Sequence, residues 1–368
     1  MKITLIAGAR PNFMKIAPII GSIQKARSSG EDIDFRLVHT GQHYDKKMSG
    51  DFFEQLDIPQ PDVNLEAGGG SQAEQTGKIM VNFEKELLSN PTDLVLVVGD
   101  VTSTMACAIT AQKLHTRVAH VEAGIRSEDW TMPEEINRLV TDSITNYFFT
   151  TSHTANQNLK RSGISDDRIF FVGNTMIDTL YKQMPRFKQP DVWDQLGLKE
   201  KEFIVITLHR PANVDQDHHL KELVDTIVSS SRGLPIIFPV HPRTAKILQN
   251  IGITGDNLHL IDPLSYLEFN YLVQRAKVVI TDSGGITEET TVMGIPCMTL
   301  RENTERPETC TIGSNELLGT KPAAIPPAFD KLFSGNWKKS GIPELWDGKT
   351  ADRIVDAIIS IFSEKAMR

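Results

Sequence analysis

The sequence predicts an α/β protein of two doubly wound, Rossmann-like domains facing a cleft, and three observations carry that prediction. Short apolar runs rich in Val, Ile and Phe alternate with amphipathic segments along nearly the whole chain, the pattern of parallel sheets covered by helices. The 368 residues are too many for one average domain and comfortable for two. The apolar runs end repeatedly in Gly, Asp, His, Glu, Pro or Ser, and in open α/β sheets ligands sit at that end of the strands.

Strands of the first half are read at "KITLIAG", "FRLVHTG", "LVLVVGD", "RVAHVEAG", "YFFTTS" and "RIFFVGN". The second half offers "FIVITLH", "PIIFPVH", "LHLIDP", "VVITDSG" and "IPCMTL". Residues 1–174 are assigned to the first domain and 175–350 to the second, with the polar, two-proline stretch at about 175–200 as the connection. Ile354, Ile358, Ile361 and Phe362 follow the helical period, so residues 351–368 are read as a helix packing back on the first domain.

Composition removes several function classes. With 39 Lys+Arg against 47 Asp+Glu, a formal net charge of −8 and no basic stripe, nucleic acid is not expected as a partner. Cys107, Cys297 and Cys310 are odd in number and lack paired metal spacing, which suits reduced, mostly buried thiols. His218 and His219 adjoin in the polar run "DQDHHLKE" without companion ligands, so no metal is expected there. The first apolar run is too short for a signal peptide, and no stretch approaches the ~20 apolar residues that cross a bilayer. A cytoplasmic protein with no membrane partner is the expectation. Neither half carries a G-x-G-x-x-G or a G-x-x-x-x-G-K-[ST] loop, which takes weight from ordinary dinucleotide and ATP-hydrolysing folds.

Chemistry-bearing residues gather at the strand ends. In the first half these are Arg10 and Lys15 after the first strand, Gln42 and His43 in "HTGQHYD", Asp100 in "VVGD", Glu122 in "HVEAG" and Glu134 in "TMPEEINR". Asp100 is also placed to cap the next helix. Glu122, between Val121 and Ala123, needs a partner such as Arg126 or Arg138 if it is buried. Glu134 follows Pro133 near a helix start, where the dipole favours an acid whatever its role. Together the three carboxylates suit removal and return of protons on opposite faces of a sugar ring.

In the second half "TLHRPAN" places His209 and Arg210 at one strand end and "PVHPRT" places His241 and Arg243 at the next, groups able to face a diphosphate. "TDSGGITEET" reads as a strand-to-helix turn whose Ser283, Gly284 and Gly285 amides are free to hold phosphate. Glu288 and Glu289 follow, and consecutive helical residues point about 100° apart, so one of them is expected to look away. "RENTERPE", with Arg301, Glu305 and Arg306, has the mixed charge of a solvated loop.

These segments also carry a family likeness. Through "GARPNFMKIAP", "GQHYD", "VVGDVTST", "HVEAGIRS", "MPEEINR", "VGNTMID", "HRPANVD", "PVHPRT", "IDPLSYLEF", "TDSGGITEE" and "MGIPCMTLRENTERPE", the chain resembles, nearly end to end, the non-hydrolysing UDP-N-acetylglucosamine 2-epimerases. The resemblance implies a fold of the glycosyltransferase B type and reversible conversion of UDP-GlcNAc into UDP-ManNAc with no cofactor and no metal. It further implies a homodimer that supplies ManNAc-type sugars for cell-surface polysaccharide. By the same resemblance Asp100, Glu122 and Glu134 are the acid/base carboxylates and His209 a further catalytic group beside the diphosphate. Arg10, Lys15 and His241 become ligand contacts, Ser283, Gly284 and Gly285 the phosphate loop, Glu289 the ribose contact, Phe269 the uracil contact, and Arg306 another ligand contact. "HRPAN" stands where many bacterial members read His-Arg-Arg-Glu, so their activation by a second substrate molecule is not carried over. "GARPNF", "HTGQHYDKKMS" and "FFEQLDIPQPD" look equally like a sub-branch acting on UDP-2,3-diacetamido-2,3-dideoxy-glucuronate. A glycosyltransferase of the same fold and a nucleotide-sugar-binding regulator are the readings from other classes.

Overall fold

A strand covered by helices on both faces must be apolar on both faces, and "LVLVV" at Leu94–Val98 meets that demand with every residue buried. In the computed structural model, which describes residues 1–42, 53, 56–240, 245, 248, 250–253 and 255–366, each strand segment expected from the sequence forms. The chain divides into two units, one of Met1–Thr179 with Glu344–Arg368, the other of Leu180–Pro343.

In the first unit the strands are β1 (Lys2–Ala7), β2 (Asp34–His39), β3 (Val63–Asn64), β4 (Leu94–Val98), β5 (Arg117–Val121), β6 (Tyr147–Thr150) and β7 (Ile169–Phe171). They form one sheet in the order β3-β2-β1-β4-β5-β6-β7, and every pairing is parallel. The second unit contains β8 (Ile204–Thr207), β9 (Ile236–Pro239), β10 (Leu258–Ile261), β11 (Val278–Thr281), β12 (Cys297–Thr299) and β13 (Asn315–Leu317). Its order is β10-β9-β8-β11-β12-β13, again all parallel. Each sheet reverses direction once, between β1 and β4 and between β8 and β11. Such switch points are where doubly wound sheets bind ligands, beyond the carboxyl ends of the strands.

β3 and β13 were not expected. They are edge strands of two and three residues, too short for any hydrophobic period to register. The stretch after residue 174 also differs from a plain connector, since it is built of the helix Thr175–Gln183, a 3₁₀ turn at Met184–Arg186 and the helix Asp191–Gln195. Ile177 and Leu180 are fully buried there.

Asp178, from the first of these helices, reaches the helix Thr350–Ala366. Its Oδ1 accepts from the Thr350 amide at 3.1 Å and its Oδ2 from the Ala351 amide at 2.7 Å, so it satisfies two of the amides that a helix start leaves without an internal partner. The helix Thr350–Ala366 packs on the helix Arg10–Ser28, where Asp352 accepts from Ser22 Oγ at 2.7 Å and Lys25 Nζ at 2.9 Å. Trp346, fully buried just before it, donates its indole N–H to the Thr151 carbonyl at 3.1 Å. Replacing Asp178 with Ala strands two buried amides, and we expect a loss of about 1–3 kcal/mol, read as a lower urea midpoint. An unchanged midpoint would contradict that role. No helix among the described residues is long and apolar enough to cross a membrane.

Candidate active-site residues in each unit

In the first unit the turn after β1 is organised by Asn12. Its Oδ1 accepts from the Gly8 and Ala9 amides at 3.2 and 3.0 Å, and its Nδ2 donates to the Val98 carbonyl at 2.8 Å. The start of the helix Arg10–Ser28 is thereby tied to the end of β4, across the switch point. Lys15 lies three residues further along the same helix face. Its buried ammonium donates to Glu122 Oε2 at 2.6 Å. Gly99, at φ +70°, passes so close that a Cβ there would stand 3.2 Å from Lys15 Nζ.

Glu122 is buried and pairs with Lys15, a cation the sequence did not offer as its partner. Arg126 pairs with Asp142 at 2.7 Å, and Arg138 with Asp100 and Glu135. Glu122 itself adopts φ +70°, a left-handed conformation that costs a non-glycine residue energy and that concentrates at functional sites. The Phe149 carbonyl holds it there by accepting from both the Glu122 and Ala123 amides, at 3.0 and 3.1 Å.

Asp100 does not cap the next helix, whose N-cap is Val101. Its Oδ2 accepts from Arg138 Nε at 3.1 Å and Nη2 at 2.5 Å, and the carboxylate keeps 30% of its surface exposed. Glu134 sits partly exposed in the first turn of the helix Pro133–Ile144. Its neighbour Glu135, which the sequence did not single out, is buried and accepts from the Ser127 and Glu128 amides at 2.9 and 3.1 Å and from Arg138 Nη1 at 2.8 Å. Burial pushes the Glu135 carboxyl up, but the bonds from Ser127, Arg138 and Glu128 together outweigh it and leave it below its ordinary value. Glu135 therefore fixes both the 127–128 loop and the arginine that grips Asp100.

Beneath these groups lies a second unforeseen set. His120, fully buried on β5, places Nδ1 2.8 Å from Asp142 Oδ1 and Nε2 2.8 Å from the Gly99 carbonyl, which precedes Asp100. Asp142 Oδ2 also accepts from the Gly124 amide at 3.0 Å. Burial pushes Asp142 up, and the bonds and charges of His120 and Arg126 more than offset this, so it sits below the usual carboxylate value. Gln42 accepts from the Ser103 amide at 3.0 Å and its hydroxyl at 2.7 Å, joining β2 to the helix Thr102–Lys113. Arg10 is exposed at the first helical position. His43, His241 and Arg243 lie outside the described residues.

In the second unit the ends of β8 and β11 are joined by Asp282, another residue passed over in the sequence. It is fully buried and accepts from the His209 amide at 3.0 Å, the Arg210 amide at 2.9 Å, Asn213 Nδ2 at 3.0 Å and His209 Nδ1 at 2.8 Å. The helix Gly284–Met293 starts directly after it with Ser283 as N-cap, and the Ser283 side chain makes no cap bond. The Ser283 amide, expected to be free, instead donates to Thr281 Oγ1 at 3.0 Å, and the amides that follow it open a helix, an end at which anions are favoured.

Glu288 and Glu289, consecutive on this helix, take separate partners. Both are buried, because each has a partner: Arg306 Nε donates to Glu288 Oε1, and the Tyr266 hydroxyl donates to Glu289 Oε1 at 2.7 Å. Burial pushes the Glu289 carboxyl up to about 7. Phe269, on the helix Tyr266–Arg275, packs partly buried against the apolar core under β11. The "RENTERPE" loop is only partly solvated, with Glu302 exposed. Arg301, Glu305 and Arg306 are all buried, and Arg301 grips both Glu305 oxygens at 2.7 and 2.8 Å. Glu308, at the end of this segment, is buried with no hydrogen bond to either carboxyl oxygen among the described residues, and burial pushes it up to about 7.

Comparison with known proteins adds to this geometry. The family model described as UDP-N-acetylglucosamine 2-epimerase matches residues 25–359. The UDP-N-acetylglucosamine 2-epimerase of Methanocaldococcus jannaschii is 39% identical over 367 residues, covering 96% of this chain and 98% of its own. The crystal structure of the UDP-GlcNAc 2-epimerase of that organism in complex with UDP-GlcNAc and UDP aligns with a TM-score of 0.85 and 39% identity, over 98% of this chain and 100% of that one. The UDP-2,3-diacetamido-2,3-dideoxy-D-glucuronate 2-epimerase of Pseudomonas aeruginosa is 40% identical over 323 residues, covering 87% of this chain and 88% of its own.

Proposed function

The chain belongs to the UDP-N-acetylglucosamine 2-epimerase family, a family of isomerases, and on that premise we propose that it interconverts UDP-GlcNAc and UDP-ManNAc by anti elimination and re-addition of UDP. The hydrogen at C2 is not acidic as it stands, because no carbonyl carbon adjoins C2 in the ring. Loss of UDP breaks the C1–O bond, a carboxylate takes the C2 proton, and the C1=C2 double bond of 2-acetamidoglucal forms. UDP then adds back at C1 while a proton reaches C2 from the other face. The product serves as a ManNAc-type precursor of cell-surface polysaccharide.

Asp100, Glu122 and Glu134 are the proton carriers in this reading. The observation that supports it is that two of the three, at the ends of adjacent strands, are held by buried cations, Lys15 on Glu122 and Arg138 on Asp100. Each pairing fixes its carboxylate in place at the end of a strand, the side on which parallel sheets hold ligands. Elimination also develops negative charge on the departing diphosphate. The amides of Gly284 and Gly285, with His209 and Arg306, stabilise that charge more in the transition state than in the substrate. Glu289 takes the ribose hydroxyls and Phe269 the uracil, while Arg10 and His241 contribute further ligand contacts.

Turnover of UDP-GlcNAc in heavy water should place deuterium at C2 of both epimers. Hydrogen retained at C2 through many turnovers would sink the mechanism. The 40% identity to the Pseudomonas aeruginosa enzyme favours UDP-2,3-diacetamido-2,3-dideoxy-glucuronate as the second candidate sugar. It carries a C6 carboxylate and a C3 acetamido group that UDP-GlcNAc lacks, so turnover of the two side by side decides between them.

A further inference from the structure

We propose that Asp282 is a positioning residue for His209: it fixes the imidazole in the form that carries its proton on Nδ1 and turns Nε2 outward as the atom that works on the substrate. This rests on the reading of His209 as a catalytic group. The donor count supports it. A carboxylate only accepts, so the 2.8 Å contact between His209 Nδ1 and Asp282 Oδ1 requires the proton on Nδ1. Burial pushes Asp282 up, but the bonds from His209, the Arg210 amide and Asn213 outweigh it and keep it below the usual carboxylate value, hence ionised.

The placement is also one-sided. Asp282 is fully buried, whereas the His209 side chain is 62% exposed, so the ring has one face committed to the protein and one to the exterior. Because Asp282 also binds the His209 and Arg210 amides, the loop that carries the ring is held by the same carboxylate. β8 and β11 flank the switch point of the second sheet, and this one side chain joins their ends.

Two measurements test the proposal. In the parent protein, ¹⁵N spectra of the His209 ring should show Nδ1 protonated when the ring is neutral; the opposite tautomer would overturn the proposal without any variant. In Asp282→Asn the amide oxygen still accepts from Arg210 and Asn213, while its NH₂ faces His209 Nδ1 and drives the ring proton to Nε2. We expect an inverted tautomer and a kcat lower by about 10²–10⁴-fold with KM within about threefold. In a His209→Ala background Asp282→Asn should add no further loss of kcat. A full, additive loss there means that Asp282 only supports the fold. Should His209→Ala keep parental turnover, the reading of His209 itself fails, and the ring spectra still report whether Asp282 sets the tautomer.

Discussion

Glu122→Gln lowers kcat by about 10²–10⁴-fold, the range for losing a positioned acid or base. Glutamine keeps the volume and the backbone conformation but cannot take the C2 proton. The same change leaves the Lys15 ammonium buried against a neutral amide. Breaking a buried ion pair from one side costs about 3–5 kcal/mol, because the remaining charge is uncompensated. Activity and stability therefore fall together in the single variant, and a second substitution separates them. Lys15→Met with Glu122→Gln removes both charges, so the urea midpoint recovers while kcat stays low. Parental turnover in Glu122→Gln, or recovery of turnover with stability in the double variant, would contradict the assignment of Glu122 as a proton carrier.

Glu308→Gln stabilises the protein at pH 8 and leaves it unchanged near pH 4.5. The Glu308 carboxyl is pushed up to about 7 by burial, against an ordinary value of 4.5. The folded state thus holds this proton more tightly than the unfolded chain, so stability falls as pH rises between those two values. At about 1.4 kcal/mol per pH unit, the cost at pH 8 is on the order of 3 kcal/mol, and glutamine does not incur it. Glu289, at about 7, and Asp178, at about 6, act in the same direction, so the parent protein should be more stable at pH 5 than at pH 8 with respect to these groups. Urea midpoints of parent and variant at both pH values check this. An equal gap at pH 5 and pH 8 would show that the effect is packing and not ionisation.

The fold was legible because its central strands are buried on both faces and read as unbroken apolar runs. Edge strands of two or three residues leave no such trace, which is why β3 and β13 went unseen. The acids and cations at the strand ends were legible for a topological reason: parallel sheets place ligands there. Their pairing was not. Lys15 and Glu122 are 107 positions apart, and nothing local distinguishes that pair from one of Glu122 with Arg126 or Arg138. "RENTERPE" failed differently, since composition cannot separate charges that water solvates from charges that neutralise one another inside. His120, Glu135, Asp142 and Asp282 were missed because their importance lies in which backbone groups they hold. A sequence does not display that until the strands are side by side.

The return of the chain to its first unit has a consequence for how the protein is made. The second unit, Leu180–Pro343, is an unbroken stretch, but the first is interrupted by it and closes only with Glu344–Arg368. During synthesis the ribosome therefore delivers a complete second unit while the first still lacks Trp346 and the helix that Asp178 caps. The earliest residues to emerge are among the last to be finished. Until Glu344–Arg368 has emerged, the first sheet lacks the helix that packs on Arg10–Ser28.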